Sequence, residues 1–130
     1  MIVVDASVLA PALADDGDDG DQARECLRGE ELAAPELIDL EILSMLRRAA
    51  RSKRLDESRS LQALTDLAEL PLSRAPHLPL LGRVWELRNN LSAYDASYVA
   101  LAEVLETVLV TADGRIERAT GIKCEVAVLS

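Results

Sequence analysis

The chain has 130 residues, of which 49% are hydrophobic and only 2% aromatic, with no Phe, one Trp and two Tyr. That length suits one domain with a buried core of Leu, Ala and Val, and the shortage of aromatics excludes a platform on which nucleic-acid bases stack. Its 14 basic and 23 acidic residues leave a formal charge of −9, which by composition alone argues against a polyanionic partner.

Residues 2–4 (Ile-Val-Val) are wholly apolar, as in a strand buried on both faces. Residues 7–14 read as a helix with Pro11 in an early turn, where its missing N–H is tolerated. Residues 15–21 (Asp-Asp-Gly-Asp-Asp-Gly-Asp) read as a solvated acidic loop leading into a helix over 22–28. A calcium loop starting at Asp15 would need Glu where Cys26 stands. Residues 32–34 form a short strand ended by Pro35, and two helices follow, over 36–52 and 56–69.

A short strand is predicted at 72–74 and a helix over 77–89, with Asn89 and Asn90 as its stop. Trp85, with Leu81, Val84 and Leu87 nearby, reads as core. Ser92 opens a helix running to about Leu105; a strand over 108–111, a helix over 113–120 ended by Gly121 and a strand over 125–129 complete the chain. This alternation predicts an α/β fold, a single domain over 1–130, with helices flanking a central, mainly parallel sheet of about five short strands.

Cys26 and Cys124 lack metal-ligand spacing and read as buried thiols of a reducing compartment. Residues 1–5 hold no basic, leader-like stretch and no apolar run approaches the ~18 residues of a membrane span, so a cytoplasmic protein without membrane contact is expected.

Four acids stand in unusually apolar settings. Asp5 closes the first strand, and Asp113 follows the strand over 108–111. Ligands collect beyond the carboxyl ends of strands in open α/β sheets, although a helix follows each acid and either also fits an N-cap. Asp95 lies three residues after Ser92 in a capping-box pattern, a role compatible with ligation. Glu41 lies in a helix whose Ile38, Ile42, Met45 and Leu46 form an apolar face. Its i+3 and i+4 neighbours are Ser44 and Met45, so it lacks the basic partner that a merely solvated charge often has. An acid beside so much apolar surface needs its charge compensated. A divalent cation shared by the four would do so, and a metal-dependent hydrolase is the expectation.

The bases cluster too: Arg47, Arg48, Arg51, Lys53, Arg54 and Arg59. Each is compatible with plain solvated charge, but local field outweighs net charge and keeps nucleic acid open as a partner. Leu61, Leu64 and Leu67 fit either a dimer seam or a partner's groove.

With these residues in view, the chain resembles the PIN-domain nucleases, and specifically the toxin half of bacterial VapBC toxin–antitoxin pairs. The resemblance rests on Ile2-Val-Val-Asp-Ala-Ser-Val-Leu9, Glu41-Ile-Leu-Ser-Met-Leu-Arg-Arg48, Leu91-Ser-Ala-Tyr-Asp-Ala-Ser-Tyr-Val-Ala-Leu-Ala102 and Leu109-Val-Thr-Ala-Asp-Gly-Arg115, in order over nearly the whole length. It implies a three-layer PIN-like sandwich and an Mg²⁺- or Mn²⁺-dependent endoribonuclease. Asp5, Glu41, Asp95 and Asp113 are then its catalytic and metal-binding acids, supported by the hydroxyls of Ser7 and Thr111. Ser44 stands where many members carry Asn. Arg48 and Arg51, with Lys53 and Arg54, would hold RNA phosphates. A cognate VapB-type antitoxin and a homodimer are implied as well.

Two other classes compete: a catalytically inactive PIN-like partner-binding module, and a phosphoacceptor signalling domain. The latter wants an acidic pair near the first strand and a lysine after a late strand. Asp5 has no adjacent acid, and Lys123 precedes the last strand. The D-x-D pattern of phosphatases is absent too, because Ser7 stands two after Asp5.

Overall fold

The computed structural model describes residues 1–130. Five short strands, β1 (Ile2–Val4), β2 (Leu32–Pro35), β3 (Leu72–Ala75), β4 (Leu109–Thr111) and β5 (Val126–Val128), form one sheet. Their order is β3-β2-β1-β4-β5 and every pair is parallel. Seven helices flank it: α1 (Ala6–Ala14), α2 (Asp18–Leu27), α3 (Ile38–Arg51), α4 (Glu57–Glu69), α5 (Leu81–Glu86), α6 (Ala93–Val104) and α7 (Gly114–Arg118). The wholly buried strands β1, β2 and β4 are the apolar runs of the sequence, as a parallel sheet covered on both faces requires.

From β1 the chain winds outward through β2 and β3, then returns to place β4 on the other side of β1. The direction of winding therefore reverses between β1 and β4, where an open parallel sheet leaves a crevice at its carboxyl end. Val4 pairs with Val110 in register, so Asp5 and Thr111 emerge side by side.

One cluster of 28 buried apolar residues joins the sheet to its helices. From α6 come Ala96 and the run Tyr98-Val-Ala-Leu-Ala102. This helix is buried nearly all round and packs on β1, β2 and β4, because its sequence has almost no polar face. In α3, Ile38, Ile42 and Leu46 are buried as their spacing predicts, each such side chain contributing about 1.5–3 kcal/mol.

The structure corrects several expectations. Helix α2 begins at Asp18, so residues 18–21 of the predicted acidic loop are helical; Asp18, Asp19 and Asp21 fall in its first turn, where the helix dipole favours acids. A Cβ on Gly20 would lie 1.8 Å from the Asp15 carbonyl oxygen, so only glycine permits this tight approach. Arg24 fastens the corner by donating to the carbonyls of Ala12 (3.0 Å) and Asp15 (2.8 Å).

Residues 77–89 are not one helix. Pro79 lies in a 3₁₀ turn over Leu78–Leu80, and α5 runs only to Glu86. Trp85 is 66% exposed on the same face of α5 as Leu81, with the Arg88 guanidinium 4.4 Å from its ring centre, and Leu87 is the buried residue instead. Trp85 is therefore not core. Cys26 is exposed, contrary to its reading as a buried thiol. No helix is long and apolar enough to cross a membrane.

Candidate active site

Asp5 follows β1 directly and caps α1. Its Oδ1 accepts the Ser7 amide (3.1 Å) and the Ser7 hydroxyl (2.5 Å), while its Oδ2 accepts the Thr111 hydroxyl (2.5 Å). Both hydroxyls also accept backbone amides from the turn after β4: Ser7 Oγ that of Ala112 (2.9 Å), Thr111 Oγ1 that of Asp113 (3.0 Å). The short polar side chains thus lace Asp5 to the segment carrying Asp113. This is how buried carboxylate oxygens on an apolar sheet are satisfied.

Asp113 caps α7, and Asp95 sits in the first turn of α6, its amide donating to Ser92 Oγ at 3.1 Å as the capping-box pattern predicts. Glu41 projects from α3 and accepts the Tyr98 hydroxyl of α6 at 2.5 Å. All four acids border one cavity of about 460 Å³. Ser7, Ser44 and Arg48 line it as well, together with Tyr98 and Arg115, which the sequence reading did not single out. Arg51 does not reach it and lies exposed in the last turn of α3. Thr111 supports from behind, fully buried. A larger cavity of about 650 Å³ lies beside it between α1 and α3; it shares Met45 and Arg48 with the first but none of these four acids.

Burial is the largest influence on Asp5, Glu41 and Asp95 and pushes all three pKa values above the ordinary carboxylate range. Charge repulsion adds to it, from Asp95 on Asp5, from Asp5 and Asp95 on Glu41, and from Asp113 on Asp95. Asp113 behaves oppositely, because hydrogen bonds from the Arg115 side chain hold it below that range. Burial and Glu41 push the Tyr98 phenol upward, so it stays protonated and donates to Glu41.

The PIN domain family model matches residues 2–122. The chain belongs to the PIN domain family. Ribonuclease VapC9 of Mycobacterium tuberculosis is 47% identical to it over 129 residues, covering 99% of this chain and 98% of that protein. Among solved structures, Mycobacterium tuberculosis VapC20, described as a sarcin–ricin-loop-cleaving toxin, superposes with a TM-score of 0.72 at 15% identity, covering 95% of this chain and 97% of that one. VapBC2 from Rickettsia felis, solved bound to a promoter DNA fragment, gives 0.65 at 15% identity with both chains fully covered. At such identities these structures establish the fold alone.

The donors of this PIN domain are carboxylate and hydroxyl oxygens, with no His or Cys among the residues lining the cavity. Hard oxygen donors suit Mg²⁺ or Mn²⁺ rather than zinc or copper. No three of the acids stand close enough together to enclose a cation by themselves. An ion that retains several waters and takes one or two carboxylates directly matches that spacing. The donor set fits the metal.

Tyr98 and Arg115 each left a faint trace in the sequence. A lone hydroxyl within Ala-Ser-Tyr-Val-Ala-Leu-Ala must find a partner once buried, and Tyr98 lies one helical turn beyond Asp95. Arg115 stands two residues after an acid at a helix start. Neither trace names the partner.

Proposed function

We propose that this PIN domain is a metal-dependent endoribonuclease, the toxin of a type II toxin–antitoxin pair, hydrolysing RNA phosphodiester bonds in the cytoplasm. The observation that carries the proposal is the meeting of Asp5, Glu41, Asp95 and Asp113 at one cavity in a chain 47% identical to a protein named a ribonuclease.

Asp5 and Asp95 would hold Mg²⁺ or Mn²⁺ most directly, with Glu41 as ligand or water-orienting group and Asp113 in support. When bound, such an ion polarises the scissile phosphate and lowers the pKa of an attacking water. The protein's own residues do the positioning. Ser7 and Thr111 fix the Asp5 carboxylate, and Tyr98 holds Glu41. Arg48, whose guanidinium donates to Ser44 Oγ at 3.2 Å, would bind RNA phosphate at the rim, with Arg51 further along the same helix.

A VapB-type antitoxin is the partner that would silence the site. A solved structural relative is a VapBC pair, which supports that class of partner. A homodimer belongs to the proposal too, supported by the exposed side chains of Leu40, Leu78, Leu81, Trp85 and Tyr94.

The test is cleavage of end-labelled total tRNA and rRNA by the purified chain with Mn²⁺, with Mg²⁺ and with EDTA, beside Asp5→Asn. Discrete cuts that need metal and vanish in Asp5→Asn are the expected result. A folded, antitoxin-free protein that makes no such cuts would instead be a partner-binding module.

A further inference from the structure

Both oxygens of Asp113 are engaged by Arg115. Its Oδ1 accepts the Arg115 backbone amide and the Arg115 Nε, both at 3.0 Å; its Oδ2 accepts Nε at 3.1 Å and Nη2 at 2.6 Å. Three N–H groups thus occupy most of the roughly four acceptor directions of a carboxylate, and while Arg115 stays folded back they compete with a cation for Asp113. The other three acids border the same cavity, where Arg48 is the only other basic side chain.

The hold on Asp113 is firm in geometry and weak in energy. The Arg115 side chain is 79% exposed, and no other residue is hydrogen-bonded to its guanidinium. An ion pair so open to water is screened and easily exchanged. Arg48 enters the cavity from α3 and Arg115 from α7, so the two guanidiniums come to the acids from different elements. A planar fork that grips a carboxylate bidentately grips a phosphate as well.

We propose that Arg115 is the resident counter-ion of this site: it occupies Asp113 while no divalent cation is present, yields that carboxylate when one binds, and then turns its guanidinium to the RNA phosphate backbone. Arg115 is thus a positioning residue toward the metal and a binding residue toward the substrate. The inference rests on the metal site proposed above.

Arg118 supplies the control. It lies on the same short helix and acts on Asp113 through its charge, without a hydrogen bond to it. The experiment is Mn²⁺ titration of the purified protein, followed by the electron paramagnetic resonance signal of free Mn²⁺, for wild type, Arg115→Ala, Arg115→Lys and Arg118→Ala. Arg115→Ala should bind Mn²⁺ about two- to fivefold more tightly, the range set by loss of one exposed ion pair. Arg118→Ala should change the affinity less than about twofold, and Arg115→Lys should fall between. At saturating Mn²⁺, Arg115→Ala should raise KM for RNA and reduce the salt slope of RNA affinity by about one.

Equal tightening by Arg115→Ala and Arg118→Ala would reduce Arg115 to background charge and overturn the proposal. Weaker Mn²⁺ binding by Arg115→Ala would overturn it from the other side, by making Arg115 a prop for the site. Failure of the wild type itself to bind Mn²⁺ would remove the metal-dependent activity together with the counter-ion. Wild-type binding that Arg115→Ala leaves unchanged would remove the counter-ion alone.

Discussion

The Thr111 hydroxyl donates to Asp5 Oδ2 at 2.5 Å across the junction of β1 and β4, and accepts the Asp113 amide at 3.0 Å. One fully buried side chain therefore sets the positions of two acids. Thr111→Val keeps the shape and removes the hydroxyl. It strands an Asp5 oxygen away from water, at an expected cost of about 1–3 kcal/mol. Urea unfolding should show a lower midpoint at an unchanged slope. RNA cleavage should fall even at temperatures where the variant is fully folded. A variant as stable and as active as wild type would mean that water stands in for the hydroxyl.

Charge in the cavity gives metal-free stability a definite pH dependence. Burial raises the pKa values of Asp5, Glu41 and Asp95, so the folded state holds these protons more tightly than the unfolded chain does. Their effect is absent at low pH, where both states are protonated, and destabilises the fold as pH climbs from the ordinary carboxylate pKa through the folded values. Asp113 acts in the opposite sense, since Arg115 lowers its pKa: its stabilisation is present above the ordinary value and is lost as pH falls. Asp95→Asn removes one of the destabilising charges. In EDTA at about pH 7.5 its Tm should exceed that of wild type by on the order of 2–4 °C, and the advantage should vanish near pH 4. Added Mn²⁺ should reverse the ranking, because it stabilises only a protein that binds it. A lower Tm for Asp95→Asn in EDTA would make the Asp95 carboxylate a net asset of the α6 cap.

Much of the site was legible because its local signals serve two purposes. Asp5, Asp95 and Asp113 each lie at or near a helix start and also border the cavity. The sequence patterns for cap and for ligand coincide, and the structure shows the helix-start hydrogen bonds and brings the acids to one cavity. Glu41 stood out by lacking a base one turn along, and its partner proved to be Tyr98, 57 residues away. No local pattern carries a contact of that separation. The same limit hid the order in the acidic segment, where composition signals a loop but Arg59 pairs with Asp16 from 43 residues away. Trp85 was misplaced for another reason: its apolar neighbours do not share one face, since Leu80 and Leu87 are buried while Leu81 and Trp85, one turn apart on α5, are exposed together.

Gly20 is a steric keystone of the α1–α2 corner. An added Cβ would meet the Asp15 carbonyl oxygen at 1.8 Å, the carbonyl carbon at 2.7 Å and the Asp15 Cβ at 2.9 Å. The obstacle is mostly backbone and cannot swing aside. Gly20→Ala must therefore pry α2 from α1, against the usual gain of placing alanine in a helix. The expected loss is about 2–3 kcal/mol, read from thermal or urea unfolding. Gly82→Ala, in a helix with nothing within 4 Å of the new methyl, is the matched control and should be neutral or mildly stabilising. Equal stability of the two variants would mean that the corner relaxes freely.

Trp85 and Leu81 separate the homodimer from the fold. Both are exposed, at 66% and 54%, and their neighbours Leu78 and Tyr94 are exposed at 77% and 66%. Monomers rarely leave so much large apolar surface together in water. The double variant Trp85→Ala/Leu81→Glu touches little of the core, so unfolding measured at low protein concentration should move by no more than about 0.5 kcal/mol per site. Sedimentation velocity at micromolar concentration should instead show wild type at twice the mass of the variant. An exposed aromatic beside aliphatic neighbours is the kind of group that dominates an interface energetically, which is why two substitutions suffice. If wild type and variant sediment as the same dimer, the seam lies elsewhere, and the exposed Leu61 and Leu64 of α4 are the next surface to alter. A wild type that stays monomeric at all concentrations would remove the homodimer.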